Sequence, residues 1–276
     1  MAEEEGTYNR DSLKNTFVVA FLLCLVCSVV VSGMAAFLKP IQKYNKELDI
    51  KKNILTSAGL LVEGSDAGPR GESVEELFAE FQVRAINLKT GEFVESVDVS
   101  TYDPIKAAKD PSISIALSND EDIATLRRLE NTSLAYIKMD NGVLDKLVIP
   151  VRGYGLWGTL YGYLALEGNL QTISGLGFYQ HKETPGLGGE VDNSKWKKSW
   201  QGVSLFAQGE PSVRLVKQRS SPGSREASYE VDALSGATFT TKGVENMINF
   251  WAGDLGFGPL IQKLREKNAG ELAAAR

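Results

Sequence analysis

Between Asn15 and Leu38 the chain carries no charged side chain, and Phe17–Leu38 (FVVAFLLCLVCSVVVSGMAAFL) is a run of 22 mostly apolar residues. At about 1.5 Å per residue, a helix of that length crosses roughly 30 Å, the hydrocarbon thickness of a bilayer. A cleavable signal peptide is the rival reading, because Gly33 and Ala35 offer a small-residue cleavage pattern. Its apolar core is normally about 7–15 residues, however, and this run exceeds that. Leu23 and Val26 precede the two cysteines where a lipoprotein signal needs a small residue. The expected organisation is a tail at 1–14, a transmembrane helix at 15–38, a helical stalk at 39–61 and a soluble domain at 62–276.

That soluble remainder needs a core, and the composition supplies one: 43% of the 276 residues are hydrophobic and 24% charged, which excludes wholesale disorder. The formal net charge of −5 leaves no basic excess to release counterions from a polyphosphate, so no nucleic-acid partner is expected. Two cysteines and one histidine cannot assemble a structural zinc site, a CxxCH haem attachment or a self-contained iron–sulfur cluster, so no metal site is expected. Any electron carried by this chain needs an organic cofactor. Cys24 and Cys27 lie within the apolar span, where small polarisable thiols more often serve packing; a cluster shared with partner subunits is the alternative reading of this CxxC pair. The count of basic residues runs five to two, with Lys39, Lys43, Lys46, Lys51 and Lys52 after the span against Arg10 and Lys14 before it. Taken alone, it favours a cytoplasmic body.

Beyond Pro40, Ile41, Tyr44, Leu48 and Leu55 recur near helical spacing, predicting a helix that ends by Gly59. Ser73–Phe81 reads as a short helix with a serine cap and an acidic first turn. Strands are predicted at Val83–Leu88 and Glu92–Val99, and at Leu134–Met139 and Val143–Val151 around Asp140-Asn-Gly142, a strong hairpin signal. Thr159–Leu166 and Val213–Val216 complete the strands, with helices at Glu121–Glu130, Ser194–Trp200, Gly243–Trp251 and Leu260–Lys267. Hairpins with scattered helices predict an α+β domain on a twisted antiparallel sheet.

Three motifs stand out. Gly153-Tyr-Gly-Leu-Trp-Gly158 fits GxGxxG, but the following Thr159–Leu166 is strand-like, and a dinucleotide fingerprint needs a helix there. A sharp glycine bend, where something flat approaches the backbone, fits better. His181-Lys-Glu-Thr-Pro-Gly-Leu-Gly-Gly189 is a rigid turn that brings donors and an acceptor to one loop; an ordinary surface loop has the same composition. In Asp232–Lys242 (DALSGATFTTK), small and hydroxyl residues crowd the turn before a helix whose buried face is Val244, Met247, Ile248 and Trp251. Such a helix start seats a phosphate, worth roughly 0.3–1 kcal/mol per anion. Plain N-capping by threonine accounts for the same residues.

Together these motifs, with the N-terminal anchor and the Gln42–Leu61 stalk, resemble the FMN-binding-domain family of membrane electron-transport subunits. That family includes the C subunits of sodium-translocating NADH:quinone oxidoreductases and the G subunits of Rnf complexes; the stalk and GLWGTLYG favour the former. The Asp-x-x-Ser/Thr-Gly-Ala-Thr pattern matches at Asp232, Ser235, Gly236, Ala237 and Thr238. The resemblance implies FMN esterified through its phosphate to Thr238 by a flavin transferase. It also implies flavin neighbours at Trp157, Thr159, Glu183, Thr184 and Leu187, with Lys242 offsetting phosphate charge. The expected function is electron relay inside a sodium-pumping complex of the bacterial inner membrane, with other subunits and lipid as partners and no catalytic acid or base. The resemblance places the soluble domain in the periplasm, against the count of basic residues, and large bodies do translocate regardless of flanking charge. An anchored FMN-binding module without electron transfer is the remaining alternative.

Overall fold

The computed structural model describes residues 13–274, so all but the last two positions of the expected 1–14 tail, Arg10 included, lie outside the described residues. Helix α1 runs unbroken from Leu13 to Ser57 and contains Pro40. A proline there removes one main-chain bond of the ladder, and helices that cross a membrane tolerate it. Its most apolar 18-residue window has a mean hydropathy of 2.7, and none of that window is buried. The chain divides into two compact units, one reaching Asp49 and one beginning at Ile50. The final turns of α1 therefore belong to the second unit, where Ile54, Leu55 and Ser57 are buried.

The second unit is built on a six-stranded antiparallel sheet. Its members are β1 (Phe81–Asn87), β2 (Glu92–Phe93), β5 (Thr132–Asp140), β6 (Val143–Tyr154), β7 (Thr159–Glu167) and β8 (Ile173–Gln180). Their order is β2-β1-β5-β6-β7-β8. Between β2 and β5 come the helical turn α3 (Pro104–Ala107) and a small hairpin of β3 (Ser114–Ala116) with β4 (Arg128–Glu130). Short helices α2 (Val74–Ala79) and α4 (Ser194–Lys198) flank the sheet. The strand pair β9 (Phe206–Ala207) and β10 (Glu210–Pro211) follows, then β11 (Arg214–Val216), which runs parallel to β12 (Glu230–Asp232). Helices α5 (Thr238–Ala252) and α6 (Gly258–Ala274) end the described chain. The fold is α+β, as its hairpin signals imply.

One face of the sheet holds the core. Leu147, Ile149 and Val151 of β6 and Leu160, Leu164 and Leu166 of β7 alternate inward and meet Trp200, Val244, Met247, Ile248, Trp251 and Phe257. The opposite face carries aromatic rings in series. Phe78, Tyr136, Tyr163 and Tyr179 meet edge to face or tilted with centroids 5.4–6.1 Å apart. Desolvation pushes the phenols of Tyr136 and Tyr179 up to about 12.

Local signals explain most of these boundaries. Asn141 and Gly142 adopt φ of 50° and 84°, the left-handed pair that a two-residue hairpin requires, and Asp140 pairs with Val143. Ser73 caps α2 in a complete capping box with Glu76. The helix predicted over Glu121–Glu130 does not form. Thr125 and Arg127 take φ of 58° and 67°, the Asp122 carboxylate accepts from the Leu126 and Arg127 amides at 2.6 Å, and the chain enters β4 instead. The predicted Glu92–Val99 strand shortens to two residues. Beyond Phe93 the chain turns away, and Asp98 later accepts from the Ser100 amide and hydroxyl.

Candidate functional site

Strands β6 and β7 remain paired up to Tyr154 and Thr159. The GxGxxG residues are therefore the tip of a β-hairpin, closed by the Gly155 amide donating to the Gly158 carbonyl at 2.9 Å. No helix follows, which settles the dinucleotide question against that motif. Leu156 and Trp157 stand exposed at this tip.

The 181–189 loop leaves β8 and folds into a turn in which the Leu187 and Gly189 amides donate to the Thr184 carbonyl. His181 is not free in solvent. Its Nδ1 accepts from the Glu183 amide at 3.1 Å, so Nε2 carries the proton and donates to Asp192 Oδ2 at 2.8 Å. The side chain of Glu183 turns inward and is only 5% exposed. Its Oε1 accepts from the Leu156 and Trp157 amides at 3.0 and 3.1 Å, and its Oε2 accepts from the Thr240 hydroxyl at 2.6 Å. One carboxylate thereby ties the hairpin tip, its own loop and the first turn of α5.

Helix α5 begins at Thr238 with Ala237 in the cap position, and no side chain caps it. The threonines are spent elsewhere: Thr240 on Glu183, and Thr241 as acceptor for the Leu234 amide at 3.1 Å. Capping by threonine, the plain alternative for this segment, does not occur at this end. The first-turn N–H groups are left as a positive helix terminus beside the exposed side chains of Ser235, Thr238 and Phe239. Gly236 bends the preceding turn at φ 71°, and a Cβ there would stand 3.1 Å from Leu187 Cδ2. The 181–189 loop therefore packs directly on this turn. Helix α5 lies close on β6, where a Cβ at Gly243 would come within 2.3 Å of the Tyr154 carbonyl oxygen.

Of the residues singled out in the sequence, Asp232 is exposed, and its carbonyl accepts from Trp196 Nε1 at 2.8 Å. Thr184 and Leu187 are exposed, and Thr159 is half-buried as the first residue of β7. Lys242 pairs with Glu245, whose other oxygen accepts from the Leu215 amide at 2.8 Å. Thr240, Asp192, Leu156 and Phe239 also stand at the site and were not singled out as site residues in the sequence. Thr240 extends the buried face of α5 one turn ahead of Val244, so its spacing pointed inward; Asp192 carried no signal.

The uncapped positive start of α5 and an exposed rim of Leu156, Trp157, Leu187 and Phe239 suit a phosphate ester bearing a flat ring. This is the chemistry of a flavin-mononucleotide-binding domain, and residues 155–253 match the family described as the FMN-binding domain. The C subunit of the Na(+)-translocating NADH-quinone reductase of Pseudomonas aeruginosa is 48% identical over 263 residues, covering 95% of this chain and 99% of its own. Its counterpart from Yersinia pestis is 43% identical over 263 residues, 94% of this chain and 95% of its own. The crystal structure of Shewanella oneidensis NqrC superposes with a TM-score of 0.71 at 32% identity, over 80% of this chain and 99% of that one. The chain belongs to the family of C subunits of Na(+)-translocating NADH-quinone reductases, and it is one component of an oxidoreductase complex.

Proposed function

We propose that this protein is a membrane-anchored electron carrier with FMN held covalently through a phosphoester to Thr238. The observation that carries this reading is an exposed threonine hydroxyl at a helix start that no side chain caps. There the phosphate meets the free amides of the first turn, a ready anion seat. FMN, when bound, supplies a ring that accepts and passes on electrons.

The protein's own residues do the rest. Trp157 and Leu187 offer apolar surface to the ring, with Thr159 and Thr184 supplying hydroxyls at the edges of the two loops. Glu183 belongs to the same site. Lys242, one turn along the helix face from Thr238, balances part of the phosphate charge while paired to Glu245. Asp232, Ser235, Gly236 and Ala237 form the sequence read by a flavin transferase, and the exposed side chains of Asp232 and Ser235 suit them to that recognition. The tether makes cofactor capture intramolecular, so dilution no longer sets occupancy. This matters for a carrier that must keep its ring between one transfer and the next.

The apolar part of α1 anchors the chain in the bacterial inner membrane, with the soluble domain on the periplasmic side and other subunits of the complex as electron partners. Protein co-produced with the transferase is expected to run on a denaturing gel as a flavin-fluorescent band, and Thr238→Ala to lose that fluorescence. A fluorescent band in Thr238→Ala overturns the attachment site.

A further inference from the structure

We infer that Glu183 is a positioning residue, acting on the flavin environment through Trp157 and the first turn of α5 rather than by touching the ring; this rests on Thr238 as the flavin bearer. Both carboxylate oxygens are already engaged by three donors from two other segments: the Leu156 and Trp157 amides and the Thr240 hydroxyl. Backbone closes in on the carboxylate at two glycines. A Cβ at Gly155 would sit 2.5 Å from Oε1, and a Cβ at Gly188 would sit 2.5 Å from both Oε2 and Thr240 Oγ1. Two of the site's glycines are therefore glycine because this carboxylate fills the volume that a side chain would take.

The clamp has its own support, since the Glu183 amide is held by His181, which is held in turn by Asp192. The consequence is a fixed relation between two elements far apart in sequence. Thr240 lies two residues after Thr238, and Trp157 heads the hairpin tip. With the carboxylate in place, the indole is set relative to the flavin-bearing turn. Without it, the hairpin tip is held by its own Gly155–Gly158 bond and by the Tyr154 amide at its base, which donates to the Ala124 carbonyl.

Amide exchange in the full-length chain tests this, measured with flavin attached and again in the Thr238→Ala background. Thr240→Val, which removes one donor and keeps the side-chain shape, is expected to raise exchange at the Leu156 and Trp157 amides about tenfold, as loss of a bond to a charged group predicts. Glu183→Ala is expected to raise it further. Glu183→Gln, whose amide oxygen still accepts, is expected to restore most of the protection. In flavin-loaded Thr240→Val, the visible circular dichroism of the flavin is expected to change while the flavin stoichiometry by mass stays at the wild-type value. Wild-type exchange at both amides in Thr240→Val, or unchanged dichroism, overturns the positioning role. If mass spectrometry finds Thr238 bare in the wild type, the flavin assignment falls, and the exchange data still decide whether the clamp exists.

Discussion

Gly243 shows how a single position reverses a general rule. Glycine inside a helix costs about 1 kcal/mol relative to alanine, so Gly243→Ala in α5 would ordinarily stabilise. Here the added Cβ would meet the Tyr154 carbonyl at 2.3 Å, and overpacking of that kind costs about 1–3 kcal/mol. The collision wins: Gly243→Ala is expected to lower the chemical-denaturation midpoint, and an unchanged or raised midpoint would contradict the close packing of α5 on β6. Glu130 is a second case. Its carboxylate is fully buried and bidentate with Arg152, which also lies over the Trp251 ring at 5.0 Å. Glu130→Ala leaves a largely desolvated guanidinium without its carboxylate, and a loss of up to about 3 kcal/mol is expected in urea unfolding. The sequence alone singled out Thr238 and its neighbours because a short motif concentrates them. Glu130 and Thr240 were not legible in the same way, because each owes its role to a partner 22 or 57 residues away.

Elements were readable where a local signal dictated them. The Asp140-Asn-Gly142 turn and the Ser73 cap are such signals, and both form. Ser73→Ala is expected to cost about 1 kcal/mol at neutral pH. The cap bonds of Ser73 hold the Glu76 carboxyl below its ordinary value of 4.5. Stability from that carboxylate is therefore present above about pH 4.5 and is lost as pH falls through the lower folded value. The difference between wild type and Ser73→Ala should narrow in acid, as denaturation curves at neutral pH and near pH 3 would show. Strand β8 went unread for an equally physical reason. Its Ser174, Gly175 and Gly177 have weak strand propensity, and a Cβ at Gly175 would stand only 2.4 Å from the Ser57 carbonyl. The glycine serves a close approach by the end of α1, a contact that no local pattern announces. The Glu121–Glu130 helix failed the other way, because side-chain capture by Asp122 turned an apparently helical stretch into a loop.

At the scale of the whole molecule, the aromatic face and the apolar helix each make a claim that can be measured. Tyr136 and Tyr179 ionise near pH 12 when folded but near 10 when exposed. The folded state therefore binds more protons between those values, and stability should fall as pH rises past about 10. Phenolate absorbance during a base titration checks it: these two should ionise only with unfolding or near pH 12. The apolar helix should keep the chain in the membrane pellet through alkaline carbonate extraction. What joins the scales is the proposed FMN ester at the start of α5, and peptide mass spectrometry of the native complex tests it directly. The account predicts that the peptide containing Asp232–Lys242 carries one FMN less one water, with fragmentation placing the increment on Thr238. That peptide recovered unmodified from flavin-replete complex, or modified at another residue, would contradict it.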